Sequence, residues 1–148
     1  MPTYQITVKQ GLLDNNKKDK IAEYLTKTHT EITGAPNYFV QIIYHEDNCR
    51  RYVAGKLSDN QIWIRGDIRS GRTPDKRSLL VEKFVEGVSE IANVPKSDIW
   101  VFLNNLDACD MAEYGQLLSE PGKEQEWFNT LPENIQSKLK EINDEMAI

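Results

Sequence analysis

The chain has few cysteines. Cys49 and Cys109 are the two among 148 residues, and their spacing suits neither a disulfide framework nor a metal knuckle. Unpaired thiols fit a reducing compartment, so a cytoplasmic location is expected. Histidines are equally few, His29 and His45, with no partner at ligand spacing, so no metal and no other cofactor is expected. Long apolar runs are missing: nothing approaches the roughly 20 residues of a membrane span, and MPTYQITVKQ has no apolar signal-peptide core. Neither a membrane nor a leader is expected. Positive charge is in deficit, with 18 Lys and Arg against 23 Asp and Glu and a net charge of -5. That argues against a nucleic-acid partner, which wants clustered basic surface. A small anionic ligand stays open, because a local arginine pair dominates a pocket whatever the net charge.

The chain does have enough apolar content, 39 %, to build one core, and a single domain over 1–148 is expected. Residues 3–9, TYQITVK, alternate as a half-buried strand. Asp14 can cap a helix whose stripe is Ile21, Leu25 and Ile32, ended by Gly34 and Pro36. A strand over 38–44 follows, and 50–57 reads as an extra hairpin strand. The pattern then recurs: a strand at 60–68, Thr73 and Pro74 at the start of a helix with Leu80, Phe84, Val88 and Ile91 on one stripe, then Pro95 and the strand DIWVFLN. Pro36 and Pro95 set the shift at about 59 residues (95 − 36). Two βαβ units, about 2–57 and 60–106, explain the repeat, each with parallel strands and a helical crossover. The extension 107–148 reads as a short turn-helix, a loop at SEPGKEQEW and a polar helix from about Pro132.

In this alignment His29 falls on Val88 and Pro2 on Gln61, so a polar residue sits on or beside a core stripe. Met-Pro at the start allows removal of Met, which would leave a secondary amine able to exchange protons near neutral pH. Arg69 and Arg72 flank a Ser-Gly turn between a strand end and a helix start, where guanidinium forks suit a carboxylate. The bland alternatives are a non-chemical Met-Pro, solvated loop charge and a satisfied core histidine. Glu113 alone would be an ordinary exposed carboxylate, and Trp127 and Phe128 read as packing anchors for the tail.

Pro2, His29, IRSGRT, IWVFL and MAEYGQLLSEPGKEQEWFNTLPE together resemble the cis-3-chloroacrylic acid dehalogenase family of the tautomerase superfamily, almost end to end. The resemblance implies an α+β fold, with two fused βαβ units forming one sheet covered by helices on one face, assembled as a homotrimer. An oligomer would also cover the apolar sheet face such a unit leaves open. It implies that Arg69 and Arg72 grip a substrate carboxylate while His29 holds or polarises it. Glu113 would activate water for attack on the carbon beta to the carboxylate, and Pro2 would protonate the alpha carbon. Two positions depart from the family: Phe102 stands in place of a tyrosine at the substrate, and Gln116 in place of an arginine. A phenyl ring cannot hydrogen-bond water as a phenol does. The resulting expectation is an amino-terminal-proline tautomerase or hydratase acting on small 2-oxo or 2,3-unsaturated carboxylic acids. The alternatives are a cis-3-haloacrylate dehalogenase and a non-enzymatic binding protein on the same scaffold.

Overall fold

The computed structural model describes residues 2–146. Two βαβ units lie in one four-stranded sheet. The first is β1 (Thr3–Lys9), α1 (Asn15–Thr33) and β2 (Gln41–Asp47). The second is β5 (Ile62–Arg69), α2 (Pro74–Ala92) and β6 (Ile99–Leu106). The order is β2-β1-β5-β6: each unit pairs its own strands in parallel, and β1 meets β5 antiparallel at the centre.

Local chemistry sets the helix ends. The Asp14 carboxylate accepts from Lys17 N at 2.8 Å, and Thr73 Oγ1 accepts from Lys76 N at 3.3 Å with Pro74 in the first turn. Gly34 closes α1 in the left-handed conformation at φ 76°, and Asn93 closes α2 at φ 57°. Pro36 and Pro95 each precede a three-residue 3-10 turn, at Asn37–Phe39 and Lys96–Asp98. The strand expected over 38–44 therefore begins three residues later, at Gln41, because the proline starts a turn before the chain extends. The two helices cross closely at Gly87, where a Cβ would lie 2.1 Å from the Tyr24 ring.

Tyr4, Ile6, Val8, Ile21, Leu25, Ile62, Ile64, Ile68, Leu80, Phe84 and Val88 form the core between the sheet and these helices. Alternation corrects one detail of the repeat. The turn from β1 to α1 has five residues, 10–14, and that from β5 to α2 four, 70–73. Helices thus match at a shift of 59 (74 − 15), but the inward Tyr4, Ile6 and Val8 match Ile64, Gly66 and Ile68, a shift of 60. Pro2 consequently corresponds to Ile62 rather than to Gln61.

The repeat also runs further than the sequence pattern showed. A hairpin of β3 (Tyr52–Val53) and β4 (Lys56–Leu57) turns through Ala54 and Gly55, both at positive φ. A second, of β7 (Ala112–Glu113) and β8 (Gln116–Leu117), turns through Tyr114 and Gly115, also at positive φ and 60 positions on (115 − 55). Glu113 therefore sits on a hairpin strand, not on a turn-helix. The segment expected as a loop at SEPGKEQEW contains most of α3 (Glu124–Asn129), and α4 (Glu133–Met146) follows. Trp127 and Phe128 anchor a second core with Phe39, Leu118, Leu131 and Leu139, in agreement with their reading as tail anchors. No described helix is long and apolar enough to cross a membrane.

Candidate active site

The inner face of β1 carries Tyr4 into the core beside α1, where its phenol oxygen lies 2.7 Å from His29 Nδ1. Both residues have no exposed surface. His29 and its repeat counterpart Val88 are thus equally buried, but His29 brings two nitrogens to a place where valine brings none. Burial, then the field of Arg72, pushes the imidazole down to about 3, so it is neutral across the physiological range. Burial also pushes the Tyr4 phenol far above its ordinary range, with Arg72 opposing, so it keeps its proton.

Arg69, the last residue of β5, is 1 % exposed. Its Nη1 donates to the Ser119 carbonyl and its Nη2 to the Glu124 carboxylate at the start of α3. Burial raises the Glu124 carboxyl, but the hydrogen bond from Arg69 and backbone N–H donors outweigh it, and the net shift is downward. Arg72 Nη1 donates to the Arg69 carbonyl at 2.7 Å. Burial, then the neighbouring Arg69, lowers the Arg72 guanidinium, which still stays charged. The two arginines face a cleft of about 220 Å³, shared with Thr33, Thr73, Lys76, Pro121 and Glu124. Among the described residues Glu124 is the one carboxylate on that cleft and is paired with Arg69, so the charge of Arg72 is left over.

Four polar atoms of these residues are buried without a hydrogen-bond partner among the described residues: His29 Nε2, Arg69 Nε, Arg72 Nε and Ser119 Oγ. Buried donors are almost always paired in folded proteins, so each of these atoms is available to a water or a ligand. Three of the four belong to residues singled out in the sequence.

A sequence model described as "Putative oxalocrotonate tautomerase enzyme" matches residues 1–129. The crystal structure of N1, a member of the cis-3-chloroacrylic acid dehalogenase family, is 37 % identical. It covers 94 % of this chain and 99 % of its own, with a TM-score of 0.91. The chain belongs to the cis-3-chloroacrylic acid dehalogenase family of the tautomerase superfamily. Two more distant structures share the fold. Pt0534 inactivated by 2-oxo-3-pentynoate is 24 % identical, covers 78 % of this chain and 94 % of its own, and has a TM-score of 0.72. The F6 fused 4-OT asymmetric trimer is 21 % identical, with the same coverage and a TM-score of 0.71. No curated protein sequence matches the chain.

Membership in the tautomerase superfamily makes this a tautomerase-type enzyme. The fold distributes the family's expected site residues unevenly. Pro2 is buried and its carbonyl accepts from Gln41 N at 2.9 Å. The antiparallel register pairs Thr3 with Asp67; one step beyond are Pro2 and Ile68, and Arg69 is next. Glu113 instead lines a larger cleft of about 770 Å³, with Thr3, Tyr38, Phe39, Gln41, Asp110 and Tyr114. That cleft is lined by neither arginine, and the smaller one is lined by both. Phe102 is 54 % exposed and stacks with Trp63 and Trp100 on the sheet face opposite the helices, at ring separations of 5.9 and 6.4 Å. Within this subunit it is on the other side of the sheet from Tyr4 and His29.

Sequence reasoning missed two residues of the cluster. Tyr4 was indistinguishable from a core residue of an alternating strand, though its phenol oxygen needs a partner once buried, and that is a usable signal. Glu124 lay inside an apparent loop and carried no local signal at all.

Proposed function

We propose that this enzyme moves a proton on small 2-oxo or 2,3-unsaturated carboxylic acids, using Pro2 as base or acid. The observation that carries this reading is the positive charge left on Arg72 beside buried, unpartnered N–H donors. A monocarboxylate supplies both the missing charge and the missing acceptors. Arg72 is the principal carboxylate ligand. Arg69 contributes its Nε and holds the wall of the cleft through Ser119 and Glu124. The neutral Pro2 amine accepts the enol hydroxyl proton, and the resulting ammonium delivers it to the adjacent carbon. In hydration, Glu113 takes a proton from the water whose oxygen attacks the beta carbon, and Pro2 protonates the alpha carbon. The reading requires that Met1 be removed, since an acylated proline nitrogen cannot bind a proton.

A substrate panel tests it: an enol-pyruvate, an acetylenic acid and both 3-chloroacrylate isomers, assayed on chain shown by mass spectrometry to begin at Pro2. Turnover of at least one is expected, and Arg72→Ala should raise its KM about 10–100-fold, the loss of a charge-assisted hydrogen bond of roughly 1.5–3 kcal/mol. An unchanged KM excludes Arg72 as the clamp. Halide release from the cis isomer alone would favour the dehalogenase reading, which the 37 % identity to a member of that family supports.

The exposed Trp63, Trp100 and Phe102 support a homotrimer. Packed against a neighbour, this apolar face would be covered, and Phe102 could reach the neighbour's site as it cannot reach its own. Sedimentation should give three times the 17.1 kDa subunit mass; a monomer at micromolar concentration would remove the role given to Phe102.

A further inference from the structure

Tyr4 has no part in the expected chemistry, yet the fold makes specific room for it. Its partner across the β1–β5 pair is Gly66. A Cβ there would lie 2.6 Å from Tyr4 Cε1 and 2.8 Å from Leu103 Cδ2, so the ring occupies the space that any other residue would fill. The Phe84 ring meets Tyr4 edge-on at 4.9 Å, and the His29 ring lies at 5.9 Å. The phenol oxygen is thereby set against one nitrogen of the imidazole, Nδ1.

The proton positions follow from counting donors. A buried hydroxyl hydrogen needs an acceptor, and Nδ1 is the one the structure gives it among the described residues. If Nδ1 carried the imidazole proton, the phenol hydrogen would be buried without an acceptor. With the phenol donating, Nδ1 must be the bare nitrogen and Nε2 must carry the proton. Nε2 is also the buried atom without a partner.

We propose that Tyr4 is a positioning residue: it holds His29 in the Nε2–H tautomer, so that a neutral imidazole offers a hydrogen-bond donor to the substrate carboxylate beside Arg72. The inference rests on the proposed carboxylate site and assigns how His29 serves it. A neutral donor suits a site that already carries an unpaired guanidinium, because it adds a hydrogen bond without adding another buried cation.

The test is nitrogen NMR of the two histidines at pH 7, with His45→Gln to assign them; His45 is exposed and bonds Gln5. Wild-type His29 should show the protonated nitrogen at Nε2 and a hydrogen-bonded, bare Nδ1. In Tyr4→Phe, folded by circular dichroism, Nδ1 should move toward its unbonded resonance or the Nδ1–H form should appear. Pyruvate, used as the carboxylate probe, should then bind about tenfold more weakly. The proposal is overturned by a wild-type Nδ1–H tautomer, which needs no variant to detect. It is equally overturned by a Tyr4→Phe spectrum with Nδ1 unmoved, or by a changed tautomer with pyruvate affinity unchanged. An inactive wild type that nonetheless binds pyruvate through Nε2–H would sink the enzymatic reading and leave this assignment intact, so the two failures are distinguishable.

Discussion

Pro2→Ala, prepared without Met1, is expected to lose about 10²–10⁴-fold in kcat for the best substrate of the panel, the range for removing a positioned acid–base group. Alanine keeps an amine at the terminus, so the loss measures position and basicity rather than mere presence. The pyrrolidine ring fixes φ, and the Pro2 carbonyl is held by Gln41 N–H at 2.9 Å. The nitrogen is therefore aimed by the first parallel ladder of the fold. Ordinary α-amino groups titrate at about 7.7–8.0. kcat/KM for keto–enol turnover should rise with pH as the free amine loses its proton and then level. KM should change little, because the proposed carboxylate ligand is Arg72 and not Pro2. Undiminished turnover in Pro2→Ala would end the account of this residue.

Arg69→Ala is expected to unfold the protein more readily, by roughly 1–3 kcal/mol, the cost of leaving its acceptors unpaired, since Glu124 itself keeps contact with water. The residue is 1 % exposed, and its loss strands both the Ser119 carbonyl and the Glu124 carboxylate. Urea midpoints against the wild type read the effect; a shift within error would mean that the C-terminal extension holds its place without this contact. The same pair has an acid signature. The Glu124 carboxyl is lowered in the folded state, so its contribution is complete above the unfolded carboxylate value of about 4.3. It fades as the pH falls through the lower folded value. Glu124→Gln should flatten that part of the acid unfolding curve. The contrast with Arg72 is the point of interest: two arginines three positions apart have unequal duties, one spent mainly on holding 119–124 and the other left with unbalanced charge.

How much of this was visible beforehand differs from residue to residue. Tyr4, Ile6 and Val8 announced their strand by alternation, and Asp14, Thr73, Pro74 and Gly34 announced their helix ends, because those signals act over a few neighbouring residues. The repeat was visible for the same reason. Its second hairpin escaped notice because Tyr114 is an unusual residue for positive φ and only Gly115 marks the turn. Resemblance brought Pro2, His29, Arg69, Arg72, Glu113 and Phe102 together around one substrate without saying which of them the subunit's own fold brings into contact.

The amino-acid sequence by itself determined two βαβ units, their caps and the pairing of an arginine-bearing turn with a polar residue on a core stripe. Tertiary structure alone decided that Glu124 neutralises Arg69, that Tyr4 meets His29 across 25 positions, and that Phe102 faces away from both. The physical reason is range: alternation and capping are set by backbone geometry over a few residues, whereas a charge or hydrogen bond is completed by whichever side chain the folded chain brings within about 3 Å.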